Sequence, residues 1–460
     1  MKNFTLFQKW LVCGFLLAAC LPPAISQWSV ETMPNQHIQF SAVALGNRVV
    51  FGPGSSGAGF HTHVDVYNLE YNGWEETTDV SAPRANAAGV AANGKVYFAG
   101  GLANSWLAPV MLDVVDILDV ESGEWTTAQL SEARSELKAV HVGNKLLFAG
   151  GISGLSGDFS TLPTEISTSA VVDIYDLDSG QWSTASLSEA RVGIAAAVWG
   201  NIAVFAGGQT ASGQVTNSVD IYDAATGLWS TLELSETKGW CEAAALAGKI
   251  YIAGGVTGDL QVTDKVEILD LATMTWDSAQ LSQARGGMRS GVMGFKIFFA
   301  GGGKYNLTKY IWTTPFSNKV DIYDAETGEW SVDNLQAGLI NHAAVVAGNQ
   351  FFVAGGAASP FNRVEIFTDE TFTPASERLA EVEVSLSPNP ATDATTLLIQ
   401  ANSEELFQVE ILDLNGRLIR TFEMNGGTTA GVDVADLSAG SYFVKVFNDN
   451  KMTAKRLAKI

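Results

Sequence analysis

The feature that most constrains this chain is a unit that recurs at intervals of about fifty residues, the range in which propeller blades and solenoid units occur. Its first half ends in an apolar strand and a double glycine: VYFAGG closing at Gly101, LLFAGG at Gly151, AVFAGG at Gly208, IYIAGG at Gly255, IFFAGGG at Gly303 and FFVAGG at Gly356. A degenerate copy, VVFGPG, closes at Gly54, which brings the count to seven. Its second half is a strand, a turn and a tryptophan, as in VDIYDLDSGQW to Trp182, VDIYDAATGLW to Trp229 and VDIYDAETGEW to Trp330, with looser copies ending at Trp74, Trp125 and Trp276. The last copy, VEIFTDETF, puts Phe372 where the tryptophan is expected, while Trp28 stands unpaired before the first unit.

Each half reads as a β-hairpin, because β-branched and aromatic residues flank short turns such as Gly143-Asn144, Gly200-Asn201, Thr226-Gly227 and Thr327-Gly328. Four strands per unit follow. The inner strands (AAAV, AVVA, FFVAGG) are apolar on both faces, so they must be covered on both sides, as stacked blades would cover them. A ring of seven sheets has to be closed, and QWSVETM at residues 27 to 33 resembles an outermost strand without its other three. The expectation is that this N-terminal strand completes the C-terminal blade and so removes the open edges.

The double glycines, the VDIYD strand, the spaced tryptophans and the LSEAR segment are together similar to Kelch repeats, over residues 28 to 375. The resemblance implies an all-β, seven-bladed propeller, placed here at residues 27–374. In such propellers the segments leading from each outer strand into the next innermost strand surround the channel mouth, together with the loops after the double glycines. One position in these segments is basic: Arg84, Arg134, Arg191, Lys238 and Arg285, with Leu339 at the sixth junction and His37 or a neighbour at the first. Two readings are open, a brace paired with a local acid or a ligand contact.

Residues just beyond that position differ between units, as a ligand site requires: Asn86, Glu136, Lys138, Trp240, Glu242, Arg289, Asn341 and His342. Trp240 suits the apolar face of a sugar ring and Arg289 a carboxylate. The expected ligand site at the channel mouth is therefore Arg84, Asn86, Arg134, Glu136, Arg191, Lys238, Trp240, Glu242, Arg285, Arg289, Asn341 and His342. The longest loops, 152–170 and 304–319, add recognition surface, the second through Tyr305, Tyr310 and Trp312.

His61 and His63 have the i, i+2 spacing that points two rings the same way on an extended segment, but only two metal ligands are evident. Kelch propellers include copper radical oxidases and a sugar mutarotase. Cys241 lacks the partners that an oxidase needs among five histidines, whereas a mutarotase needs little more than an acid and a base, for which Glu136, Glu242, Arg289 or His342 could serve. No phosphate loop, nucleophile elbow or zinc motif is present, and no cofactor or metal is expected.

Charge narrows the partners. The chain carries 49 acidic and 27 basic residues, a formal net charge of −22, with no basic run, so nucleic acid would be repelled. The expected partner is a carbohydrate or a protein. Residues 1–26 have the anatomy of a signal peptide, with Lys2 and Lys9 ahead of an apolar run from Leu11 to Leu21. Two processing readings are open: cleavage after Ala24-Ile25-Ser26, or a lipobox at Leu17-Ala18-Ala19-Cys20. Ordinary cleavage leaves Cys241 as the only cysteine, expected as a buried thiol, and no transmembrane segment in the mature chain.

After a linker at 375–382, residues 383–460 follow a different plan of short alternating strands, with Asn415-Gly416 as a hairpin turn, and a small immunoglobulin-like β-sandwich is expected. Ser387-Pro388-Asn389-Pro390, Asp413-Leu414-Asn415-Gly416-Arg417, Leu437-Ser438-Ala439-Gly440-Ser441-Tyr442 and the terminal Lys455 to Ile460 resemble the type A C-terminal sorting domain of type IX secretion. The resemblance implies contact with that machinery through residues 383–460, removal of the tail, and a propeller secreted from, or held on the outer surface of, a Gram-negative bacterium. The sequence thus leads to an exported binding module, with a carbohydrate-active enzyme of mutarotase or lyase type as the alternative.

Overall fold

The computed structural model describes residues 28–369 and 383–459, except for 106–107, 157–164, 260, 307–310, 359, 401–405, 413–417, 439 and 448–451. The leader, Phe372, the 375–382 linker and the Asn415-Gly416 turn lie outside the described residues. Seven antiparallel sheets follow one another along the chain, at 42–79, 88–129, 138–186, 195–233, 242–280, 289–334 and 343–368, here called blades 1 to 7. Within each, sequential strands pair from the axis outwards. The innermost strands of successive blades touch in cyclic order, and that of blade 7 (Ala343–Ala347) touches that of blade 1 (Ala42–Leu45).

Ring closure is the expected one. Trp28–Thr32 pairs antiparallel with Arg363–Thr368, Trp28 opposite Phe367 and Thr32 opposite Arg363, and so supplies the fourth strand of blade 7. The core is a cycle of seven clusters, each between two neighbouring blades. Every one of them receives a tryptophan from the outer strand of one blade: Trp125, Trp182, Trp229, Trp276, Trp330, Trp28 and Trp74 in cyclic order. Trp28 packs edge-on against Phe351 and Phe367 and donates through Nε1 to Asp333 of blade 6 at 2.7 Å. The seventh tryptophan of the repeat is therefore Trp28. The sequence position assigned to Phe372 is occupied in space by the N-terminal strand.

The C-terminal part is a two-sheet sandwich. Glu383–Ser387, Ala394–Gln400 and Thr429–Asp433 form one sheet, and Leu418–Asn425, Leu406–Leu412, Gly440–Phe447 and Met452–Lys459 form the other. Leu397 and Ile399 from the first close over Phe407, Val409, Ile411, Val444, Val446 and Leu457 from the second. Tyr442 donates its hydroxyl to the Ser438 carbonyl at 2.8 Å, a tyrosine-corner bond of the kind sandwiches use. The Ser387-Pro388-Asn389-Pro390 segment is tied to the last strand, since Asn389 Oδ1 accepts the Ala458 amide at 2.8 Å and Ala391 bridges Lys459.

Candidate functional site

Three positions of each blade junction, two residues apart, build the axial region. The first holds the recurrent basic residue. Arg84, Arg134, Arg191, Lys238 and Arg285 are all fully buried. Each meets the acid at the third position of the VDIYD strand that follows it: Arg84 with Asp116 at 2.5 Å, Arg134 with Asp173, Arg191 with Asp220 at 2.5 Å, Lys238 with Glu267 at 3.1 Å, and Arg285 with Asp321 at 2.6 Å. The four arginines also donate to the carbonyl of a second-strand phenylalanine, Phe98, Phe148, Phe205 and Phe299 respectively. Where lysine replaces arginine the acid is glutamate, so the shorter cation meets the longer carboxylate.

Blade 1 uses His37 with Asp65 at 3.0 Å; burial pushes that carboxyl up, but the bond and charge of His37 with the bonds from Asn35 and Thr77 together hold Asp65 at about 2. In blade 7, Leu339 cannot pair. Glu365 instead takes the Gln336 amide and the partly exposed Arg363, and burial raises its pKa. The five basic residues expected in the ligand site thus belong to the scaffold, because a buried cation without its acid would be prohibitively desolvated.

Two residues further on, Gln39, Asn86, Glu136, Gly193, Trp240, Gly287 and Asn341 all adopt the left-handed conformation, with φ between 49° and 68°. Their amides link around the axis: Asn86 to Gln39, Glu136 to Asn86, Trp240 to Gly193, Gly287 to Trp240, and Gln39 to Asn341. This ring is the channel rim, and glycine is the residue that the conformation favours. The two glycines are covered, however. A Cβ on Gly193 would lie 3.0 Å from the Trp240 indole, and one on Gly287 would lie 2.6 Å from that of Trp312. The rim therefore has a polar arc, Asn341-Gln39-Asn86-Glu136, and an aromatic arc of Trp240 and Trp312.

Beyond the rim, the first residues of the innermost strands line the channel. They are alanine in blades 2, 4 and 7, but Lys138, Glu242 and Arg289 in blades 3, 5 and 6. With Glu136 they place two cations and two carboxylates, all half-buried, in one passage. Among the described residues none of the four forms an ion pair. Asn86 donates to Glu136 at 3.3 Å, Ser290 donates to Glu242 at 2.9 Å, and Arg289 donates to the Met288 carbonyl at 2.9 Å. Their fields nevertheless meet across the ring. Burial raises the Glu136 carboxyl while Arg289 and Lys138 oppose it, and burial lowers the Lys138 ammonium while Glu242 opposes it.

Of the expected residues, Asn86, Glu136, Trp240, Glu242, Arg289 and Asn341 are brought together at the channel. His342 is not. It occupies the position that in other blades is Phe40, Ala87, Leu137, Ile194, Cys241 or Met288, facing the core between blades. Its Nε2 donates to the Ala300 carbonyl at 3.2 Å, and burial pushes its pKa down to about 3. Cys241, at the same register, is buried with its thiol pushed up to about 11. Lys138 and Trp312, named in the sequence as a variable junction residue and as part of a long loop, fall on the channel and its rim, whereas Gln39 was not foreseen.

His61 and His63 stack at 5.4 Å between centroids, and His37 meets His61 edge-on at 4.7 Å. They bond to different groups, His61 to the Gln36 carbonyl and His63 to Asp79, and no cluster of three or more metal-binding side chains occurs among the described residues. Two open clefts beside blade 5 share Glu236, Thr263 and Asp264. Their polar groups already bond one another, Thr263 to Glu236 and Gly258 to Thr237, and they lie outside the channel.

Residues 136–356 match the KLHDC2/KLHL20/DRC7 Kelch-repeats domain, and residues 385–459 match the secretion system C-terminal sorting domain. Kelch-like protein 11 of Mus musculus and that of Homo sapiens are each 24% identical over 172 residues, which is 37% of this chain and 23% of theirs. The solved structure entitled "Structure of YjhT" is 16% identical with a TM-score of 0.50, covering 66% of this chain and 99% of that one, a likeness of fold. Fold and channel define a β-propeller with an export tail. The chain carries a Kelch-repeat domain and, after it, a C-terminal sorting domain of the type IX secretion system.

Proposed function

We propose that the propeller is an exported carbohydrate-binding module whose site is the channel mouth. The observation that carries this reading is the division of the rim, with indoles on one arc and amide and carboxylate side chains on the other. A sugar ring presents one apolar face and an edge of hydroxyls, and that arrangement suits it. Five rim residues keep a left-handed backbone without being glycine, Trp240 among them, and such conformations concentrate at ligand sites. The test is a glycan array on the mature chain beside its Trp240→Ala and Arg289→Ala variants. Specific binding lost in both supports the reading. A folded protein that binds no glycan refutes it and turns the search to a protein partner on the long loops.

A second reading, a carbohydrate-active enzyme, is favoured by one observation. Burial raises Glu136 and lowers Lys138, which brings a carboxylic acid and an amine towards the range where proton transfer at neutral pH is efficient. Anomer exchange of any bound reducing sugar, followed by NMR, distinguishes the two. Acceleration that Glu136→Gln removes while binding persists identifies an enzyme, and exchange at the solution rate identifies a binder.

In the same proposal residues 1–26 are a signal peptide cleaved before Gln27, and the propeller ends on the outer surface of a Gram-negative bacterium or beyond it. Mass spectrometry of the mature N-terminus tests this: a chain beginning at a lipidated Cys20 would overturn the cleavage.

A further inference from the structure

The chain treats buried charge in two different ways. Five fully buried cations behind the rim each have an acid within reach, whereas among the described residues the four charged groups of the channel form no ion pair. Glu136 and Lys138 come from blade 3, Glu242 and Arg289 from the neighbouring blades 5 and 6, and the four are formally neutral in sum. Glu136 and Glu242 each accept one side-chain bond, from Asn86 and Ser290. Arg289 gives one N–H to a carbonyl, and Lys138 makes no hydrogen bond or ion pair through its ammonium among the described residues. Charged groups kept half-buried and unpaired are costly unless a ligand completes them.

A neutral sugar would supply hydroxyls but no counter-charge. A monoanion would answer Lys138 and Arg289 while bringing its own charge against Glu136 and Glu242, and a monocation would do the reverse. We propose that the ligand of the channel is a saccharide bearing both a carboxylate and a free amino group, the carboxylate held by Lys138 and Arg289 and the ammonium by Glu136 and Glu242. The inference rests on the channel-mouth reading and sharpens it: the indole and amide arcs hold the ring, and the paired charges select the zwitterion.

The experiment is calorimetric titration of the mature chain with glucose, glucuronate, glucosamine, glycine and muramate, a sugar that carries both groups. Muramate should bind at least about tenfold tighter than any of the others, the margin expected when a second charge-assisted contact is made. Lys138→Met and Glu242→Gln should each remove most of that margin, with circular dichroism confirming the fold. Glucuronate or glucosamine binding as tightly as muramate, or muramate binding unchanged in both variants, overturns the inference. Glycine matching muramate overturns its saccharide part. If neutral glucose or either single-charge sugar binds as tightly and Trp240→Ala abolishes it, the channel reading survives while this one falls. If no probe binds in a way that depends on Trp240 or Lys138, both fall.

Discussion

At the residue scale the repeated basic side chain shows how a strong pattern can belong to the scaffold. Arg191 has no exposure, and burial lowers its pKa against the opposing pull of Asp220. Arg191→Met should therefore lower stability by about 3–5 kcal/mol, mainly because Asp220 is left buried without its partner. Arg191→Met with Asp220→Leu should recover a large part of that loss in urea denaturation, and equal losses in the single and double variants would contradict the brace. The choice between brace and ligand contact was open in the sequence, but its resolution was written there too. Arg faces Asp in four units, Lys faces Glu in one and His faces Asp in one, so the reach of the pair is kept while its members change.

His342 is a second residue-scale case. Its histidine identity suggested a site, whereas its register, one residue before the innermost strand of blade 7, is a core position in every blade. Burial holds it at about 3, so between its ordinary value of 6.5 and that value the unfolded chain binds a proton that the folded chain excludes. Its contribution is complete above the ordinary value and is lost as pH falls towards 3. His61, held at about 4 chiefly by burial, acts in the same sense. His342→Leu should leave the melting temperature at pH 7.5 within about 2 °C of the parent and shrink the fall between pH 6.5 and 4. An unchanged pH profile would show that His342 is not the neutral core residue described.

At the scale of the element, the strand Trp28–Thr32 decides whether the ring is closed. Its outer-strand pattern was legible in QWSVETM, and so was the incomplete seventh unit. What misled was chain order: counting repeats along the sequence assigns the last tryptophan position to Phe372, but a ring has no last blade, and the free first strand fills it. Trp28→Ala removes an indole that packs on Phe351 and Phe367 and bonds Asp333, and should lower stability by about 3–5 kcal/mol. Deleting residues 28–33 should do more, since Arg363–Thr368 then becomes an unpaired edge available for association. Size-exclusion chromatography and thermal melting of the two variants would show this, and a monomer with the parental melting temperature would rule out the closure as a source of stability.

At the scale of the whole molecule, the propeller and the sandwich keep separate hydrophobic cores, and no residue of the sandwich cluster belongs to any inter-blade cluster. The proposed recognition and the sorting tail thereby fall in different parts of one chain. The propeller holds a channel whose varied residues contrast with the constant braces behind them, and the tail presents the landmarks of a sorting domain, two of which meet where Asn389 accepts the Ala458 amide. A chain ending at residue 382 should consequently keep the melting transition of the propeller and any sugar binding of the full mature chain, because no core residue of the blades is lost. It should fail to reach the cell surface or the medium and accumulate in the periplasm. Cell fractionation of the two chains in a host with the secretion system measures the difference. Equal export would show that delivery does not depend on the sandwich, and a lowered melting temperature would show that the propeller needs the sandwich to hold its fold.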